Sequence, residues 1–189
     1  VTGMGTALAT RGMERLLAAT PVDRAVVVGI TGALDDVTPI GSLIRPAEVV
    51  DGTTGARFVP VPLGPEVPAG AMWTSDSIIA DVATLAALRA EGVVSLDMET
   101  AAVAAVCERH GIPWSVVRAV SDRAGKDGVD DEVFHLSNQD GTPNGRAVVS
   151  FVLKHPGRIP AMARMARGAK LATKRAADEA IAALSSATG

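Results

Sequence analysis

Three short apolar runs constrain this chain most: Ala25 to Ile30 (AVVVGI), Val93 to Met98 (VVSLDM) and Ser115 to Val120 (SVVRAV). Each has the length of a buried strand, and helix-length segments separate them. That alternation predicts a layered α/β domain. The predicted helices are ATRGMERLLAA, the stretch IIADVATLAALRAE that MWTSD leads into, AAVAAVCERH, and a last one after Pro160. In the last, Met162, Met165, Ala169, Ala172, Ala176, Ala180 and Leu184 keep three- and four-residue spacing. TGALDDVTPIG reads as the loop leaving the first strand, and the polar segment Ser121 to Arg146 as a long loop. A length of 189 residues suits one domain, 1–189, with a real core. The chain opens on Val and enters VTGMGT at once, as if a strand were already ending, so either a first strand upstream is missing from this sequence or a GTG start codon is written as Val.

Composition bounds the function classes. Aromatic residues are 3% of the chain and Tyr is absent, so Trp73, Trp114 and three Phe are too few to build base-stacking platforms, and nucleic acid is not expected as a partner. The lone Cys107 excludes an internal disulfide and a multi-cysteine zinc site, and fits a reducing, cytoplasmic compartment. No apolar run approaches the roughly 20 residues that span a bilayer, and the opening residues lack the layout of a signal peptide. Seven of the 18 Lys and Arg fall between Lys154 and Arg175 with no acid among them, so the other 11 share the rest of the chain with all 21 Asp and Glu. The basic tail, residues 154–184, reads as a solvated helix face or, alternatively, as a surface drawn to an anionic membrane or partner.

The densest chemistry lies between Val93 and Gly125. Asp97 and Glu99 sit where an apolar strand meets a helix, a position where acids complement the positive helix N-terminus. Capping accounts for Asp97; Glu99 is left near the carboxyl end of a strand, where open α/β sheets bind ligands. Arg118 interrupts a Val-Val-x-Ala-Val strand, and a buried arginine needs a carboxylate or a bound anion. Ser121 and Asp122 end the same strand. Arg118, Asp122 and Glu99 therefore converge on one crevice or form a structural ion-pair network, and the residues alone fit both. His110, His135 and His155 lack metal-ligand spacing, although His135 lies in the predicted loop after Asp122. GMGTALATRG has Leu8 where a dinucleotide fingerprint needs its third Gly, and there is no P-loop, so no cofactor or metal is expected.

DMETAAVAAVCERHGIPWSVVRAVSD resembles the signature of the purine nucleoside phosphorylase and methylthioadenosine/S-adenosylhomocysteine nucleosidase family, in which a Met-Glu pair opens a helix and a strand ending in Arg-x-x-Ser-Asp follows. GMGTALAT, VVVGITGALDD and WTSDSII resemble the family's earlier segments, and FVLKHPGRIPAMARMARGAK is similar to the tail of its hopanoid-associated phosphorylase branch. The resemblance implies a three-layer α/β/α fold around a mixed sheet. It implies cleavage of the N-glycosidic bond of a purine nucleoside, an adenine-containing one; Ile78, Ile79 and the tail point to an apolar 5′ group, or to a lipid-bearing nucleoside if the tail is a guide. Such a reaction builds positive charge on ribose and negative charge on the departing base, so it needs an acid for the base and a carboxylate for the sugar.

By the resemblance Asp122 is the acid at purine N7, which requires its pKa to climb from about 3.9 towards neutrality; three units is roughly 4 kcal/mol, available only from burial. Glu99 would hold the ribose hydroxyls, Met98 would pack on sugar and base, and Arg118 would bind the nucleophile. Ser121 would join the substrate contacts, Ile78 and Ile79 would line the base pocket, and Gly29, Thr31 and Gly32 would let backbone approach the nucleoside. Val27, Val28 and Ile30 stand where phosphorylases of the family carry Arg and Ser, so phosphate loses ligands as a co-substrate; the acid that activates water in nucleosidases follows a first strand this sequence lacks. Hydrolysis and phosphorolysis stay open, with an inactive nucleoside-binding module as the alternative. A homo-oligomer, a dimer in particular, is expected from the same resemblance.

Overall fold

The computed structural model describes residues 4–125, 136 and 144–187. In chain order it contains α1 (Thr6–Ala19), β1 (Ala25–Ala33), β2 (Leu43–Ile44), β3 (Glu48–Asp51), β4 (Arg57–Phe58), β5 (Ala71–Thr74), α2 (Val82–Ala90), β6 (Val93–Asp97), α3 (Thr100–Arg109), β7 (Trp114–Arg123), α4 (Gly145–Lys154), a 3-10 turn at Pro156–Arg158 and α5 (Ile159–Ala187). The strands form one sheet ordered β2-β7-β1-β6-β5-β3-β4. It is mixed: β1 runs parallel to β7, and β5 parallel to both β3 and β6, while β1 meets β6 antiparallel.

Side-chain alternation explains the layering. On β1 and β7, Val27 and Val116 point into a cluster with Ala9 and Met13 of α1 and Ala104 and Cys107 of α3. Their neighbours Val26 and Val117 point the other way, onto Ala180 and Ala183 of α5, and Ala119 meets Ala172 and Ala176. Two helices therefore cover one face and α5 the other, as period-two strands require. The small residues at positions 172, 176, 180 and 183 bring α5 close; at Gly168 an added methyl would lie 2.7 Å from the Ser121 carbonyl oxygen. Leu85 and Leu88 of α2 pack with Leu34, Val50 and Val93.

The three apolar runs are strands, but several boundaries differ from the sequence reading. β1 continues through Ala33, because Thr31, Gly32 and Ala33 stay paired with β7 across a register shift. The helix expected from Ile78 starts only at Val82, where the Asp81 side chain accepts from the Thr84 amide at 2.8 Å. The expected loop 121–146 is shorter at both ends: β7 runs through Arg123, and Asn144 caps α4 by accepting from the Ala147 amide at 3.2 Å. His135 lies outside the described residues. Among the described residues no helix is long and apolar enough to cross a membrane.

Candidate active site

The site grows from a buried carboxylate. Asp97 ends β6, where the chain must turn into α3, and its Oδ2 accepts from the amides of Thr100 at 2.9 Å and Glu99 at 3.3 Å. Its other oxygen accepts from the Thr74 hydroxyl at 2.6 Å, and the same Thr74 oxygen accepts from the Ala101 amide at 3.0 Å. The capping position itself falls on Glu99, not on Asp97 as the sequence suggested, but the Asp97 side chain still accepts from the first amides of α3 and ties β5, β6 and α3 together.

Across the sheet Arg118 completes the network. Its Nη2 donates to Asp97 Oδ2 at 2.5 Å and to Thr100 Oγ1 at 2.8 Å, and lies 3.6 Å from Glu99 Oε2. Nη1 donates to the Ile30 carbonyl at 3.1 Å. Both predicted readings of this arginine hold together: it is a buried ion-pair partner, and it also lines the cavity. The room for its side chain comes from Gly29, directly opposite in register, where a methyl group would sit 2.4 Å from Nη1. Gly29 does not line the cavity, against the expectation; its missing side chain serves the arginine and not a ligand.

The cavity has a volume of about 350 Å³, in the range of small-molecule sites. One wall is the strand-to-helix corner with Leu96, Met98 and Glu99, facing Met4 from the approach to α1. Another is the loop after β5, with Ser75, Ser77, Ile78 and Ile79. The floor is the paired ends of β1 and β7, with Thr31, Gly32, Ser121 and Asp122. Thr31 Oγ1 donates to the Leu96 carbonyl at 2.7 Å, and Ser121 Oγ lies 2.5 Å from Asp122 Oδ1. The structure therefore brings nine of the ten proposed site residues to one cavity. Ser75, Ser77 and Met4 were missed as wall residues, although the quoted WTSDSII and GMGT segments contain or adjoin them.

Burial pushes the Glu99 carboxyl above the usual range, aided by the neighbouring charge of Asp97, while Arg118 pulls it back down. Its Oε1 accepts from the Gly5 amide at 3.0 Å, at the start of α1. Among the described residues no group of three or more His, Cys, Asp or Glu is arranged to hold a metal ion.

Residues 61–154 match the sequence profile of the phosphorylase superfamily. A 5′-methylthioadenosine/S-adenosylhomocysteine nucleosidase of Bacillus cytotoxicus is 35% identical over 82 residues, 39% of this chain and 36% of that protein; one from Bacillus cereus is 37% identical over the same length. The matched stretch therefore spans about a third of these relatives. Solved structures extend the likeness of fold. The nucleosidase of Neisseria meningitidis in complex with methylthio-immucillin-A gives a TM-score of 0.69 at 18% identity, covering 95% of this chain and 77% of that one. That of Streptococcus pyogenes in complex with 5-methylthiotubericidin gives 0.64 at 19% identity, covering 97% and 76%. Residues 61–154, which include the Met-Glu corner and the Arg-x-x-Ser-Asp strand, are thus similar in sequence to the phosphorylase superfamily, and the mixed sheet that joins them is similar in fold to these solved nucleosidases.

Proposed function

We propose that this chain, residues 1–189 acting as one domain, hydrolyses the N-glycosidic bond of an adenine nucleoside with an apolar 5′ group. The observation that carries this is the convergence of Asp122 and Glu99 on one cavity whose walls also carry Met98, Ile78 and Ile79. The apolar side chains take the flat base, and Asp122 at the end of β7 delivers a proton to N7. The C1′–N9 bond breaks with its electron pair leaving on the base. Water adds its oxygen to C1′ and sheds a proton, so that over the cycle Asp122 is returned to its acid form. Glu99 accepts from the ribose hydroxyls, and its negative charge offsets the positive charge growing on the sugar. Arg118 draws Glu99 toward its ionised form against the effect of burial, and faces the nucleophile from the cavity wall. The chemistry asks for no cofactor.

Water is favoured over phosphate because Arg118 already donates to Asp97, Thr100 and Ile30, and Val28 and Ile30 offer an anion nothing. The nucleosidase names of the curated relatives agree with that choice. The test is adenine release from methylthioadenosine, adenosylhomocysteine and adenosine, with and without phosphate. Phosphate-independent release is expected; phosphate-dependent release would make the chain a phosphorylase, and binding without release an inactive nucleoside-binding module.

The buried thiol of Cys107, pushed up to about 11 by desolvation, supports a cytoplasmic location, where an inert reduced cysteine is ordinary. Val28 and Ile30, exposed on the same face of β1, support a homo-oligomer. The basic tail is proposed to contact an anionic membrane. Arg164, Arg167, Lys170 and Lys174 are exposed on α5 away from its buried alanines, and Leu153 and Ile159 are also exposed. Vesicles with about a third anionic lipid should sediment the protein at low salt, neutral vesicles should not, and the Arg164→Glu/Arg167→Glu variant should stay in the supernatant; at about 1 kcal/mol per basic residue near the surface the effect is large enough to see.

A further inference from the structure

α1 is a helix of 14 residues whose first turn contains no acid and whose capping position is Gly5, which has no side chain to offer. Its leading amides are satisfied from elsewhere. Gly5 donates to Glu99 Oε1 at 3.0 Å, and Thr6 donates its amide to Asp76 Oδ1 at 3.1 Å and its hydroxyl to the same oxygen. Two adjacent peptide groups at the positive end of one helix therefore hold two carboxylates from different walls of the cavity.

Asp76 does not line the cavity, but the residues on either side of it do. The loop it belongs to is tied at its start by the Ser75 amide on the Asp97 carbonyl at 2.9 Å, and folds on itself through Ser75 Oγ on the Ser77 carbonyl at 2.9 Å. Between the two serines Asp76 points away from the cavity to α1. Ile78 and Ile79 follow on the same loop. The base and the ribose of a nucleoside are joined by one bond, so a site engages both only if the spacing between its base wall and its ribose carboxylate is held fixed.

We infer that Asp76 and Thr6 form a clasp that sets the base-side loop against Glu99, making both positioning residues for nucleoside binding without either touching the nucleoside. The inference rests on the hydrolase reading above. It separates Asp76 from a mere helix cap: a cap would affect stability, whereas a clasp affects how well base and sugar are engaged at once.

The experiment is steady-state kinetics of adenine release for Asp76→Ala, Asp76→Asn, Thr6→Val and Thr6→Ser. Asp76→Ala is expected to raise KM about tenfold, the size of losing hydrogen bonds to a charged group, with kcat within about threefold of wild type. Asp76→Asn and Thr6→Ser, which keep an acceptor and a donor, should recover most of the loss. The Thr6→Val/Asp76→Ala pair should raise KM no further than Asp76→Ala alone. If Asp76→Ala does not fold, the Thr6→Val and Thr6→Ser comparison decides. An unchanged KM in the alanine variant, or a fall in kcat at constant KM, overturns the clasp. Should the wild type release no adenine, the hydrolase reading fails by itself, and calorimetric titration with adenosine still tests the clasp: weaker binding by Asp76→Ala supports it, equal binding overturns it.

Discussion

Asp122→Asn is expected to cut adenine release by about 10²–10⁴-fold while leaving nucleoside affinity within a few-fold of wild type. The asparagine has nearly the same shape and retains an oxygen for the neighbouring Ser121 hydroxyl, which lies 2.5 Å from Asp122 Oδ1. What it lacks is a proton for the departing base. The loss should therefore fall on kcat, and it should shrink for a riboside whose leaving group departs without protonation. Single-turnover release, set beside equilibrium binding of the same nucleoside, separates the two effects. An asparagine variant that still turns over at near the wild-type rate would remove Asp122 from the acid's role.

Arg118→Leu should produce the largest loss of stability. The guanidinium is the cation beside two carboxylates, Asp97 at 2.5 Å and Glu99 at 3.6 Å, and the Asp97 side chain is 1% exposed. Removing one member of such a buried pair typically costs about 3–5 kcal/mol, which for a chain of this size lowers Tm by about 6–20 °C. The pH dependence carries a sign. Without Arg118 nothing opposes the burial that holds the Glu99 carboxyl above its unfolded pKa, so stability is lost as pH rises from the unfolded range, near 4, through the folded value. The deficit relative to wild type should be small near pH 4 and full at pH 7. Thermal melts of both proteins at the two pH values measure it, and an equal deficit at both would mean that packing, not charge, explains the effect.

Much of this was legible in the sequence because the decisive signals are local. Eight consecutive buried residues from Trp114 to Ser121 contain the apolar Val-Val-x-Ala-Val core of a strand, and an arginine inside that run asks for a buried acid. Asp97 at a strand end before a helix is equally local. The misplaced assignments depended on partners distant in sequence. Gly29 resembled a glycine that admits a ligand, but its meaning lies in the side chain opposite it on β7. Strands β2, β3 and β4 are two to four residues long and exist only through pairing with their neighbours, so no window of sequence reveals them. Asp76 is unremarkable in its own loop and acquires a role only once α1 is laid beside it.

The parallel pairing of β1 with β7, Ala25 beside Trp114 through Ala33 beside Arg123, has a consequence for how the chain comes into being. Contacts so far apart in sequence form late, because loop closure must be achieved before they stabilise anything. On the ribosome, the first strand emerges many residues before its neighbour exists, and Gly32 and Asp122 cannot meet until that neighbour has been made. A growing chain thus has no complete cavity until β7 has docked, and under the proposed function every shorter form of it leaves nucleosides in the surrounding pool intact.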